Sequence, residues 1–221
     1  MRFILLYLTV FAALSLSAQQ QTEFEGVIRY KHLFTFNSSV TDTASIKERF
    51  GSSSVFYYKK GSYKWIYRSD MDIVTEYFDD ETQTLYLQSR WTGDTLFKAK
   101  GHGYTLQSFQ LYDVTDTICG IKCKKAKTIT FEKGGGNDFF ERTIYYSPEV
   151  YVPPTRFSAY NLYATSLVIK KTKSWPLRIE IKAQKRAFAE TFEAIEVVPQ
   201  ELSDSEVHFP KDKPVKPLPL F

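Results

Sequence analysis

The chain has 221 residues, 29 Lys and Arg against 25 Asp and Glu, and 16% aromatic content. A net charge of +4 spread along the whole sequence excludes the clustered basic face expected of a nucleic-acid binder. Two cysteines are too few for a disulfide scaffold, and the length suits one sizeable domain that can bury its own core.

In chain order, Arg2 supplies one positive charge, 3–14 an apolar run, and Ser15, Ser17 and Ala18 a cluster of small residues. That order is the layout of a secretory signal peptide at 1–18, cut after Ala18. The run is too short to cross about 30 Å of hydrocarbon comfortably, and a Gln-rich segment follows it. A retained anchor is the competing reading. The mature protein is therefore expected to be exported, periplasmic or in the cell envelope, and soluble once the signal is removed. It divides into a single β-rich domain at 19–209 and a proline-rich tail at 210–221.

Beyond the signal, apolar and polar residues alternate with period two. Ile28, Tyr30, Phe34 and Phe36 share one face, and Arg29, Lys31 and Thr35 the other. Thr43 is read as the cap of a short helix within 41–50. Segments 55–60 and 63–68 flank Gly61-Ser62 as a hairpin, with Tyr63, Trp65 and Tyr67 on one side. A second hairpin joins 73–78 to 84–88 across Asp79-Asp80-Glu81-Thr82, and 95–100 follows a turn at Gly93. Strands at 124–131 and 138–147 flank a glycine turn at 134–137, and further strands are expected at 166–171, 177–183 and 187–198. A turn of helix is expected near 155–163. The tail, with Pro210, Pro214, Pro217 and Pro219, reads as extended coil on the surface.

Short turns between successive strands make an antiparallel meander. One aromatic face and little helix to cover it favour a strongly curved sheet, a half-barrel or open barrel with one or two short helices. Cys119 and Cys123 admit a disulfide only with a turn at Gly120. On a continuous strand their Cα atoms would lie about 13 Å apart, against roughly 4.4–6.8 Å for a bridge. Both readings stay open.

No catalytic constellation is visible. His32, His102 and His208 have no metal-binding spacing, 134–136 lacks the Lys-Ser/Thr of a phosphate cradle, and there is no Gly-x-Ser-x-Gly. Asp79-Asp80-Glu81 reads as an acidic hairpin tip, and the lysines at 122, 124, 125 and 127 as a solvated strand. No catalytic residue, metal or cofactor is expected.

Several short motifs carry a resemblance. Phe24-Glu25-Gly26-Val27-Ile28-Arg29-Tyr30 and Val55-Phe56-Tyr57-Tyr58-Lys59-Lys60-Gly61 are similar to the opening strands of small exported Bacteroidetes-type proteins of the GLPGLI class and their uncharacterised relatives. Ile118-Cys119-Gly120-Ile121-Lys122-Cys123-Lys124-Lys125-Ala126, Tyr145-Tyr146-Ser147-Pro148-Glu149 and Trp175-Pro176-Leu177-Arg178-Ile179-Glu180 look like later segments of that group. The chain departs from it in lacking the GLPGLI hexapeptide, with Tyr160-Asn161-Leu162-Tyr163 near where that would fall. More distantly, Val207-His208-Phe209-Pro210 after two amphipathic strands resembles the ending of periplasmic lipoprotein carriers of the Lol type. Those are half-barrels with an apolar cavity.

The exported group has no established activity. The aromatic concave face, with the apolar cavity of the carriers as a distant parallel, leads to the expectation of a non-enzymatic protein binding a lipid-like or other hydrophobic ligand there. Tyr57, Trp65, Tyr67, Tyr77 and Trp91 are the candidate lining residues. The alternative is an envelope interaction module with a filled core and no ligand. The expected partner is accordingly a hydrophobic ligand or an envelope protein, with association at the outer membrane and no nucleic acid.

Overall fold

The computed structural model describes residues 21–38, 41–69, 73–99, 103–133, 138–158 and 165–218. The signal segment, His102, the glycine turn at 134–137, 160–163 and the last three residues lie outside them.

Twelve strands form one open sheet: β1 Gly26–Phe36, β2 Ser53–Lys59, β3 Ser62–Tyr67, β4 Ile73–Asp79, β5 Thr84–Ser89, β6 Leu96–Ala99, β7 Gly103–Ile118, β8 Ile121–Lys133, β9 Phe139–Tyr151, β10 Ser174–Ala183, β11 Phe188–Pro199 and β12 Val215–Pro217. Their order is β12-β6-β5-β4-β3-β2-β1-β11-β10-β9-β8-β7, antiparallel except where β12 joins β6. Three short helices accompany them: α1 Thr43–Phe50, α2 Thr165–Thr172 and α3 Asp204–Val207. The expected fold class, a mainly β curved antiparallel sheet, is what the chain adopts.

Hairpin chemistry explains the meander. Lys60-Gly61 and Cys119-Gly120 each place two successive residues at positive φ (47° and 89°, 52° and 78°), the backbone of a turn whose twist matches that of its strands. Gly61 is needed for a second reason: a Cβ there would stand 2.4 Å from the Asp80 carboxyl carbon. At the acidic tip, Asp79 accepts hydrogen bonds from the Glu81 amide and the Thr82 hydroxyl, closing the turn locally.

Curvature follows from which rings meet. β3 and β10 are four steps apart, about 19 Å across a flat sheet. Yet the Trp65 and Trp175 rings lie 6.2 Å apart, and Phe56 on β2 stacks on Trp175 at 4.2 Å. The sheet must curl to bring them together. Pro176 is tolerated inside it because register shifts flank the residue, and its carbonyl accepts a 2.7 Å bond from the Tyr30 hydroxyl.

Four elements differ from the sequence reading. Asp42, not Thr43, caps α1, accepting from the Ser45 amide at 3.0 Å. The segment expected as a strand at 166–171 is α2, because adjacent Val168 and Ile169 both bury against the sheet and β-propensity yields to that packing. β7 was not anticipated; two register shifts break its alternation, and much of it is exposed edge strand. The C-terminal segment is a strap rather than a free tail. Leu202 and Val207 cover Val27 and Val55 on the convex face, Phe209 stacks on Tyr86 at 4.0 Å, and β12 pairs with β6.

Candidate functional site

The concave face has a closed end and a hollow end. At the closed end, 154–158 forms a turn that places Phe157, fully buried at φ 59°, among Tyr58, Tyr63, Phe78 and Trp175, with centroids 4.9–6.3 Å away. Arg156 locks this turn down, donating to Asp80 at 2.6 Å and to both Glu23 oxygens at 3.0 and 3.1 Å.

Towards the other end the rings stop meeting. A cavity of about 300 Å³ opens between β3 and β4 on one side and β9, β10 and β11 on the other. Trp65, Tyr67, Trp175, Ile179, Ile181 and Phe192 supply apolar wall, and α1 and α2 cover it with Phe50, Val168 and Ile169. The indole N–H of Trp65 is buried here without a hydrogen-bond acceptor.

Polar groups also line the space. Burial pushes the Glu76 carboxyl up to about 7, although the Tyr67 and Tyr63 hydroxyls donate to it and pull the other way. Glu190 on β11 is likewise raised by burial to about 7, opposed only by the charge of Arg186. Both carboxyl groups therefore hold their protons to higher pH than an ordinary glutamate. His32, beside the cavity wall on Phe192 at 4.4 Å, is driven the opposite way, to about 4, because burial disfavours its cation. Its ring bonds to the Ser54 hydroxyl at 2.8 Å and the Gly51 carbonyl at 3.2 Å, so it ties β1 to β2 and to the end of α1.

Three arginines also line the cavity, each from a different element. Arg49 lies in the last turn of α1, Arg142 is an inward residue of β9 between Phe140 and Ile144, and Arg186 lies in the β10–β11 turn. Arg49 and Arg186 both stack on Phe50, at 5.7 and 5.9 Å. Arg186 and Arg142 both stack on Phe140, at 5.7 and 5.2 Å. Arg142 is only 3% exposed, and its Nη1 donates to the Thr130 hydroxyl at 2.6 Å.

Of the five residues proposed from sequence, the structure brings Trp65 and Tyr67 together on the cavity wall, stacked at 5.2 Å. Tyr57 and Tyr77 have the opposite strand parity and face the convex side. Tyr57 packs there with Val27, Val55, Leu202 and Val207, and Tyr77 with Tyr86, Leu96 and Phe209. Trp91 is 75% exposed on a 3-10 turn at Arg90–Thr92, away from the cavity. The turn at Gly120 that a disulfide would need does form, yet both thiols are free. Cys119 donates to the Ala194 carbonyl at 2.9 Å, while Cys123 is buried in the core, where desolvation raises its thiol to about 11. Sequence reasoning missed Glu76, Arg142 and Glu190. Their signal is a charged residue at the parity that is otherwise apolar on its strand.

Among the described residues, no three His, Cys, Asp or Glu side chains converge where a metal ion could sit, and no helix is long and apolar enough to cross a membrane. No protein-family model matches the chain, and a search of curated proteins finds no match.

Proposed function

We propose that this is a non-enzymatic exported protein that holds a lipid-like or other hydrophobic ligand in the hollow end of its half-barrel. The observation carrying the reading is the cavity of about 300 Å³ on the concave face, walled by Trp65, Tyr67, Trp175 and Phe192 and roofed by two helices. Its size is at the small end of ligand pockets, which suits one slender chain rather than a bulky ring system. A closely packed interior leaves few voids larger than a water molecule. A void of this size, edged by aromatic rings, is favourable if something apolar fills it. At about 0.8 kcal/mol per buried carbon, a twelve-carbon chain sets an affinity ceiling of about 0.1 μM. The signal-like N-terminus and the resemblance to lipoprotein carriers support export to the periplasm and association with the outer membrane.

Native mass spectrometry with lipid extraction, on the mature chain exported to a bacterial periplasm, tests this reading. A defined extra mass that extracts as lipid is the expected result. A clean apo mass, with no lipid recovered, contradicts it and favours the second reading, an envelope interaction module. That reading draws on Leu111 and Val114, which are 54% and 52% exposed on the edge strand β7. Unpaired strand edges are natural docking surfaces for another chain.

A further inference from the structure

We infer that Glu190 selects the head of the ligand: a single-chain amphiphile whose uncharged hydroxyl hydrogen-bonds the Glu190 carboxyl while its chain fills the cavity. The inference rests on the ligand reading above and adds the chemistry of the ligand's polar end to it.

Glu190 lies on the inward face of β11, two residues from Phe192, and is 7% exposed on the cavity wall. Its strand neighbours are Phe34 on β1 and Ile181 on β10, neither of which has a side-chain donor to offer. Among the described residues, no hydrogen bond or ion pair reaches its carboxyl. Arg186 acts on it through charge alone, and the Arg186 guanidinium stacks instead on Phe50, Phe140 and Phe188 at 5.7–5.9 Å. Arg49 on α1, Glu76 on β4 and Arg142 on β9 share the lining. Glu76 differs from Glu190 in that the Tyr63 and Tyr67 hydroxyls already donate to it.

A buried carboxyl without a partner is costly, and a chain that fills the cavity excludes water from it. The head of that chain must therefore supply what water would. Burial raises this carboxyl to about 7, so it can meet a ligand as acid or as carboxylate. A hydroxyl suits either form, donating to the carboxylate and accepting from the acid. An ester or ether only accepts, and an ammonium only donates. A carboxylate or phosphate head meets the ionised form as a like charge.

Isothermal titration of the mature chain with four C10 probes, each below its solubility or micellar limit, separates these ideas: decanol, methyl nonanoate, decanoate and decylamine. At pH 8.5, where Glu190 is mostly ionised, decanol should bind about tenfold more tightly than methyl nonanoate, and more tightly than either charged probe. The ratio of decanol to ester should fall to within about twofold in E190L. The isosteric E190Q should narrow it by strengthening the ester, because an amide can donate to the ester carbonyl. Equal binding of decanol and methyl nonanoate, or a ratio that persists in E190L or E190Q, overturns the hydroxyl inference and leaves the cavity reading standing. Tighter binding of decylamine or decanoate than of decanol overturns it too, and assigns a charged head instead. Failure of all four to bind at about 100 μM overturns the cavity reading itself.

Discussion

The two ends of the concave face share β3 and β4, and both are rich in aromatic rings. At one end Tyr58, Tyr63, Phe78 and Phe157 close on one another; at the other, Trp65, Tyr67, Phe192 and Trp175 border a void. The connections contribute to this difference through what each brings to the face. The turn at 154–158 drops a whole phenyl ring into the closed end and ties it down through Arg156. α1 and α2 span the hollow end as a roof and leave the interior open. A filled core and an open cavity, which the alternation alone leaves as alternatives, therefore occur together in one sheet.

The largest expected effect lies at the closed end. Phe78→Ala removes a ring that is 1% exposed and packed at a tilt against Phe157 at 4.9 Å, and should cost about 3–5 kcal/mol by urea denaturation. A cost below about 1 kcal/mol would mean that this end is not close-packed.

Next comes a pH effect peculiar to the hollow end. The Glu190 carboxyl titrates near 7 in the folded chain against 4.5 for the free group, so the folded state keeps its proton to higher pH. The corresponding stability is fully present below about pH 4.5 and is lost as pH rises through 7. Glu190→Gln removes this loss. It should leave stability nearly unchanged at pH 4 and raise it by up to about 3 kcal/mol at pH 8.5. Equal effects at both pH values would contradict the buried, unshielded placement of Glu190.

Overpacking offers a direct contrast between the two ends. Val152→Phe, at a residue with no exposed surface in the main core, should cost about 2–3 kcal/mol. Ile181→Phe points its extra volume at the cavity and should cost less than about 1 kcal/mol while abolishing ligand uptake. Similar costs at the two sites would mean that the void collapses in solution.

The smallest effect concerns the convex strap. Removing 210–221 takes away the β12–β6 pairing and the Leu218-to-Lys98 backbone bond, and should lower stability by about 1–2 kcal/mol without altering ligand affinity. A lost ligand site in that variant would place the strap in the binding machinery.

Much of this was legible before the fold. Period-two alternation located β1 to β6 and the main parts of β8 to β11, and it placed Tyr63, Trp65 and Tyr67 on one face. It also contained the means to reject Tyr57 and Tyr77. Phe56 pairs with Trp65, so Tyr57 must turn outward, and Tyr77 pairs with outward-facing Lys64. β7 and α2 were hidden for physical reasons: bulges interrupt the one, and burial of a β-branched pair overrides strand propensity in the other. The charged lining was hidden as well. A buried Glu or Arg looks like solvent-facing polarity until the register assigns it to the inner face.

The central claim is that an apolar ligand enters the hollow end and nowhere else, and the chain's three tryptophans report on it separately. Trp65 and Trp175 line the cavity, whereas Trp91 is exposed on a distant turn. The most direct measurement is the ¹⁵N–¹H spectrum of the three indole groups, assigned by single Trp→Phe variants, during titration with dodecanol. Its neutral head tests the cavity without adding a charge. The account predicts that the Trp65 and Trp175 resonances shift together and saturate while Trp91 stays in place. Movement of Trp91 alone, or an unchanged Trp65 at saturating ligand, would contradict it.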